Sequence, residues 1–110
     1  MKANNKITIA NHILITAKVG QEDNLATFLK GGADAVVATE PYTLSWFAAR
    51  ISQNTFLILD FFADQAGMDA HLAGQVAAAL KAKADELIEG GWDNGVLKHF
   101  QVLEVLSAAI

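Results

Sequence analysis

The segment 43–72, TLSWFAARISQNTFLILDFFADQAGMDAHL, constrains the fold of this chain more than any other. It contains two apolar runs that are separated by the polar cluster Ser52-Gln53-Asn54. Two runs with β-strand character on either side of a short polar cluster predict a β-hairpin. A turn centred on this cluster places Trp46 opposite Asp60 in the two strands.

Both faces of the predicted hairpin are apolar. One alternating set contains Leu44, Trp46, Ala48, Phe56, Ile58 and Phe62, and the other contains Phe47, Ala49, Ile51, Leu57, Leu59 and Phe61. An antiparallel sheet in a small monomer normally leaves one face in water, so that apolar and polar residues alternate along each strand. Each face of this hairpin therefore needs its own cover.

The residues before the hairpin predict one strand and one helix. Alternating β-branched residues predict a strand over 7–19. An acidic first turn and apolar residues spaced by three and four predict a helix that begins after Gly20 and ends at Glu40-Pro41. Gly31-Gly32 lies inside this helix, where each glycine costs about 1 kcal/mol relative to alanine, so we expect a kink or a frayed middle there.

The residues after the hairpin predict a second helix and a last strand. Asp64 is the expected N-cap of the helix, Gly74 the site of a bend, and Gly90-Gly91 the end. Residues 92–95 predict a loop, and the alternating apolar residues of 96–106 predict the strand.

The predicted order is β-α-β-β-α-β in a single domain that spans residues 1–110. Four antiparallel strands with two helices on one face form the ferredoxin-like α+β arrangement. The helices cover one face of the sheet, so the second apolar face requires another molecule. We therefore predict a homodimer in which two sheets face each other and form an α+β barrel.

The composition narrows the classes of partner and location. A hydrophobic fraction of 53% is high for 110 residues and favours a buried subunit contact or an apolar cavity. The net charge of −4 argues against a nucleic-acid partner, which favours clustered Lys and Arg. The chain has no cysteine, no signal-peptide pattern and no apolar run of the roughly 18 residues that a membrane helix needs, so we expect a cytoplasmic protein without a membrane partner.

Several motifs resemble those of the antibiotic biosynthesis monooxygenase family. They are Glu40-Pro41, the run 43–50 (TLSWFAAR), Thr55-Phe56, Asp60, the run 63–67 (ADQAG) and Ala70-His71-Leu72, in this order along the chain. The chain is most similar to the small bacterial members that are assigned as quinol monooxygenases. The resemblance covers most of the chain and implies a dimeric α+β barrel, which agrees with the fold predicted from the residues.

The resemblance also implies a function. It points to a cofactor-independent monooxygenase that acts with oxygen on a small quinol or phenol, in an apolar pocket of the barrel. The family also contains heme-degrading enzymes, but their axial histidine has no counterpart at Leu80-Lys81-Ala82 of this chain. The alternative is a non-catalytic dimeric module of the same fold that binds a small molecule or has a structural role.

Three residues are candidates for catalysis: His71, Asp60 and Trp46. His71 matches the family's histidine in the second helix and suits a base because its pKa is near neutrality; otherwise it is a structural histidine near the Gly74 bend. Asp60 is a carboxylate inside the apolar run FLILDFF, so it is either paired with Trp46 or a histidine, or a base in the pocket. Trp46 either packs in the core or stacks on a flat substrate.

Four further residues are candidates for substrate binding: Arg50, His12, Phe62 and Asn11. Arg50 would hold an anionic substrate, although a solvated or interface arginine is the other interpretation. Asn11 lies in a first-strand position comparable to that of the family's asparagine, and Phe62 stands where many relatives have Trp. The three histidines lack the spacing of a metal site, so we predict no bound metal.

Overall fold

The computed structural model describes residues 1–110, and its elements follow the predicted order with each helix divided in two. The strands are β1 (Ile9–Thr16), β2 (Ser45–Arg50), β3 (Thr55–Phe62) and β4 (Phe100–Glu104). The helices are α1 (Glu22–Lys30), α2 (Gly32–Thr39), α3 (Gln65–Leu72) and α4 (Gln75–Leu87). A π-helical turn (Gly91–Val96) and a 3-10 turn (Leu97–His99) join α4 to β4. None of the helices has the length and apolar character that a membrane span requires.

The four strands form one antiparallel sheet in the order β2-β3-β1-β4. This order, with the helices packed on one face, confirms the predicted ferredoxin-like α+β class. The hairpin register is also confirmed, since Trp46 of β2 lies opposite Asp60 of β3. On its other side β3 pairs with β1, and there Asp60 lies opposite Asn11.

Glycines divide both predicted helices. The first helix is interrupted at Gly31-Gly32, where a kink or a frayed middle was expected: it ends at Lys30 and begins again at Gly32, and the N–H of Gly31 donates to the carbonyl of Phe28. Gly32 has the indole of Trp46 so close above it that a Cβ atom would collide with the ring. The second helix begins at the predicted N-cap, where Asp64 Oδ1 accepts from the Gly67 N–H at 2.9 Å, and it is interrupted near Gly74 as expected.

Two predicted strands are shorter than expected. The first strand occupies Ile9–Thr16 instead of 7–19, and the last begins at Phe100 instead of Val96. The reason for the second difference is the backbone of Gly90 and Gly91, whose φ angles of 82° and 65° lead the chain into the π-helical turn. This turn places Val96 in the core. A strand that began at Val96 would instead have continued along the edge of the sheet.

The core lies between the helices and one face of the sheet. Its largest contributors are Ile13, Ile15, Leu25, Leu29, Phe56, Ile58, Leu80, Leu87 and Ile88. The opposite face carries Leu14, Phe47, Leu57, Leu59, Phe61 and Leu103, and none of these residues belongs to the core between the sheet and the helices. Phe47 on this open apolar face is 56% exposed. The single chain therefore covers only one of the two apolar faces that the hairpin presents.

Candidate functional site

A cavity of about 570 Å³ lies between the helices and the covered face of the sheet. Aromatic side chains from four different elements line it: Phe28, Trp46, Trp92 and Phe100. The cavity lies within one chain. Strand alternation directs Trp46 and Asp60 to the helix side of the sheet, while their neighbours in sequence point to the open face.

The polar side chains that line the cavity are Asn11, Asp60, His71 and Gln75, and the first three are buried. Asn11 and Asp60 stand on the two central strands of the sheet, and His71 is on α3 above them. Each of the three side chains is almost completely buried. A small-molecule pocket of this type, mostly apolar with a few convergent polar groups, is the typical arrangement of a binding or active site.

His71 lies between two buried carboxylates. Its Nδ1 atom is 2.5 Å from Glu40 Oε1, and its Nε2 atom is 3.0 Å from Asp60 Oδ2. The contact with Glu40 is a hydrogen bond, whereas the contact with Asp60 is an ion-pair contact without the alignment of a hydrogen bond. We call Glu40, His71 and Asp60 the buried triad.

The buried triad raises the pKa of His71. Burial by itself would lower the pKa of His71, but the contacts and negative charges of Asp60 and then Glu40 outweigh it, and the pKa is raised above 6.5. An imidazolium donates from both nitrogens, which matches a ring that faces an acceptor on each side. In its protonated form the ring, together with two ionised carboxylates, gives the buried triad one net negative charge beside the cavity.

Glu40 is the residue of this site that the sequence analysis missed. It was interpreted as the end of a helix before Pro41 and as part of a family motif, whereas the structure shows it buried, with Thr43 Oγ1 donating to its Oε1 atom at 2.7 Å. The break at Gly74 leaves room for it, since a Cβ atom there would lie 3.2 Å from Glu40 Oε2. One signal was present in the sequence: a carboxylate at a helix C terminus, where the helix dipole disfavours negative charge.

Asn11 and Asp60 have unsatisfied polar atoms. Neither the amide nitrogen nor the amide oxygen of Asn11 has a hydrogen-bond partner, and both carboxylate oxygens of Asp60 lack one. Buried polar groups in folded proteins are almost always paired, so each exception needs an explanation. Because both residues line the cavity, their free atoms are available to a bound molecule.

The structure brings four of the seven predicted site residues together at this cavity: His71, Asp60, Trp46 and Asn11. The other three lie elsewhere. Phe62 is fully buried behind His71, with ring centroids 5.3 Å apart. His12 is on the open face of the sheet, next to Leu59, and the guanidinium of Arg50 donates to the Gln53 carbonyl at 2.8 Å in the hairpin turn. Their roles in substrate binding stay predictions.

The buried triad does not have the form of a metal site. No group of three His, Asp or Glu side chains in the structure has an arrangement that could hold a metal ion. In the triad the two carboxylates lie against different nitrogens of the same imidazole ring, so the three side chains do not converge on one point.

The fold and most of the length of the chain are shared with a crystallised bacterial protein. NE2512 from Nitrosomonas europaea, described as a protein of unknown function, is 36% identical, with a TM-score of 0.87 over 97% of each chain. The chain belongs to the same family as NE2512. No protein-family model matches it, and no curated protein does.

More distant structures connect this family to the antibiotic biosynthesis monooxygenase fold. Crystal structures of candidate antibiotic biosynthesis monooxygenases from Bacteroides thetaiotaomicron and Chloroflexus aurantiacus are 15% and 17% identical, with TM-scores of 0.69 and 0.70. The first likeness covers 93% of this chain and 90% of the other, and the second covers 94% and 97%. At these identities the likeness shows the fold, and it agrees with the resemblance that the motifs indicate.

Proposed function

We propose that this protein is a cofactor-independent monooxygenase that acts on a small phenol or quinol within the cavity. The observation that carries the proposal is Asp60, a buried carboxylate on the floor of a pocket with aromatic walls, whose Oδ1 atom has no partner and whose Oδ2 atom lies 3.0 Å from Nε2 of His71. The shared fold of the antibiotic biosynthesis monooxygenases supports the same class of reaction.

The chemistry of such a substrate does not require a cofactor. A phenol and O2 give a quinone and water in balance: one oxygen atom enters the ring, the other leaves as water, and the substrate supplies all the electrons. The step that the protein has to promote is removal of the phenolic proton, because the phenolate is the form that reacts with O2. A dry cavity protects the reactive anion from water.

Asp60 is the proposed base. The buried triad carries one net negative charge, and a proton taken from the substrate by Asp60 neutralises it. The imidazolium of His71 then stabilises the phenolate that forms beside it, because opposite charges attract strongly in a medium of low dielectric constant. Glu40 has a positioning role, since it holds His71 in place and, after Asp60, contributes to the raised pKa of His71.

The aromatic walls are the proposed holding groups for the ring of the substrate. Trp46 and Trp92 offer flat surfaces of the kind that stack on aromatic ligands. The cavity volume of about 570 Å³ is in the range of pockets that enclose small organic molecules.

We propose that the working form is a homodimer. The open apolar face of the sheet, with Phe47, Leu59 and Phe61 among its residues, is too apolar for a strand surface in water. A second copy that packs the same face against it covers both sheets at once. The cavity lies on the other side of the sheet, so each copy keeps a complete site.

Oxygen consumption with a panel of phenols and hydroquinones tests the proposed reaction. We expect turnover only in the presence of O2, with one 18O atom from labelled O2 in the product. Asp60→Asn removes the base without changing the shape of the side chain and should lower kcat by about 10²- to 10⁴-fold. Asp69→Asn is the matched control, because it removes an exposed carboxylate of α3 and should leave kcat unchanged.

Three results would count against the reaction. Turnover that proceeds equally without O2 contradicts it, and so does an Asp60→Asn variant with full activity. If Trp fluorescence shows that phenols bind but none is oxidised, the protein is instead a binding module. The contacts within the buried triad favour this second candidate, because they stabilise the fold whether or not a reaction takes place.

A further inference from the structure

Asn11 and Asp60 form a polar pair on the floor of the cavity, and the two side chains do not bond to each other. The two residues are direct cross-strand partners in β1 and β3, so their side chains rise from the same face of the sheet. Each is only 1% exposed. No hydrogen bond joins them, and both amide atoms of Asn11 are unpartnered. An amide with no partner thus stands beside a carboxylate whose Oδ2 atom contacts His71 and whose Oδ1 atom is free.

This pair costs stability unless a ligand satisfies it. A buried amide without partners loses its hydrogen bonds to water and gains none in return. The position that Asn11 occupies would accept an apolar residue, since Ile13 and Ile15 lie on the same face of β1 and belong to the core. The presence of an amide in this position therefore indicates a molecule in the cavity that pairs with it.

The geometry of the pair restricts the positions of the oxygen atoms on a ligand. Residues directly opposite in an antiparallel pair have Cβ atoms about 4.5–5.5 Å apart, so both polar groups meet the same edge of a flat molecule. Asp60 as a carboxylate only accepts hydrogen bonds, and Asn11 both donates and accepts. Two oxygens on adjacent ring carbons lie on one edge and reach both residues, whereas two oxygens in para positions lie on opposite edges.

We propose that the cavity selects aromatic ligands with two adjacent oxygens, such as catechols and ortho-hydroxy carbonyl compounds. Asp60 accepts from one hydroxyl group, and Asn11 pairs with the neighbouring oxygen. Asn11 is then the residue that determines specificity, whereas Asp60 both binds the ligand and acts as the base of the proposed reaction. The inference rests on the proposed function for the location and the aromatic class of the ligand, and it adds the substitution pattern.

Three isomers of one composition provide the test: catechol, resorcinol and hydroquinone. Their dissociation constants are measured without O2, by quenching of the Trp emission and by calorimetry. We expect catechol to bind about tenfold tighter than hydroquinone, which is the effect of one additional hydrogen bond in a buried site. Phenol, with a single hydroxyl group, should bind about as well as hydroquinone.

Asn11→Leu tests the residue that carries the preference. This variant replaces the amide with an apolar group of similar size in an apolar environment, so we expect it to fold. It should lose the preference for catechol and keep its affinity for phenol. Asn24→Leu is the matched control, since it makes the same change on the exposed surface of α1 and should keep the preference.

The results separate this inference from the proposed function. Equal affinity for the three isomers, no detectable binding of any isomer, or a preference that survives in Asn11→Leu each overturns the inference. If hydroquinone and catechol bind equally and both are oxidised, the inference is wrong and the reaction stands. If catechol binds preferentially and consumes no O2, the inference stands and the reaction is wrong.

Discussion

Replacing His71 with leucine tests how the buried triad contributes to stability. His71 provides the only positive charge within contact of Glu40 and Asp60, and both carboxylates are almost fully buried. Leucine fills a similar volume against Phe62 but leaves two carboxylates facing each other without a cation. Removal of one partner from a buried ion pair costs about 3–5 kcal/mol, because the remaining charge has lost both water and its partner.

We therefore expect the free energy of unfolding of His71→Leu to fall by about 3–5 kcal/mol near neutral pH. Urea denaturation followed by Trp emission measures it, at one fixed protein concentration because association also stabilises the folded state. Lys83→Gln is the control for an exposed ion pair. Its Lys83–Glu86 contact of 3.4 Å joins two side chains that are mostly in water, and breaking it should cost less than about 1 kcal/mol.

The pH dependence gives a second measurement of the same effect. The pKa of His71 is raised above 6.5 in the folded state, so the folded protein holds this proton more tightly than the unfolded chain does. Its contribution is fully present below pH 6.5 and is lost as the pH rises through the raised pKa. The wild type should therefore lose stability as the pH rises above 6.5 and through the raised pKa of His71, and this loss should be absent in His71→Leu.

Two results would refute this reasoning. One is a His71→Leu variant that is no less stable than Lys83→Gln at any pH. The other is a wild type and a variant with parallel stability curves over the whole alkaline range. Either result would mean that the histidine is neutral in the folded protein and that the carboxylates are not held by its charge.

Two more predictions concern the wall of the cavity and the open face. Gly32→Ala should displace the indole of Trp46, lower the free energy of unfolding by about 1–3 kcal/mol and shift the Trp emission. Gly31→Ala is the control and should have none of these effects, because the nearest atom to its new methyl group is 3.6 Å away. Equal stability of the two variants would contradict the close packing of Trp46 on Gly32. Phe47→Glu should convert the dimer to a monomer, as measured by light scattering. Val37→Glu is the control: its position on α2 is 86% exposed, so the dimer should persist. A wild type that is monomeric at micromolar concentration would show that the dimer proposal is wrong.

Local patterns explain why much of the fold was predictable. The hairpin register follows from period-two alternation around one polar cluster, and a shift by one residue would have exchanged its two faces. The helix divisions follow from glycines, and the N-cap at Asp64 follows from a side chain that reaches its own backbone. The start of β4 was not predictable, because it depends on how a left-handed glycine pair folds the chain back onto the core.

The candidate site was predictable only in part. The sequence marked Asp60 as a carboxylate that packing alone does not explain, and the structure shows it in contact with one of the predicted histidines. The partner on the other side of His71 is Glu40, which is 31 positions earlier in the chain. No periodicity connects two such positions, since their contact depends on the packing of α3 against the end of α2.

The sequence by itself determined that a hairpin with two apolar faces and one buried carboxylate lies at the centre of this protein. Alternation and turn chemistry are local, so they can be read from neighbouring residues. Only the tertiary structure decided which face the helices cover, and therefore that Asp60 and Trp46 face a cavity within one chain. It also decided that Asn11 stands beside Asp60, because the pairing of β1 with β3 joins segments that are far apart in the sequence.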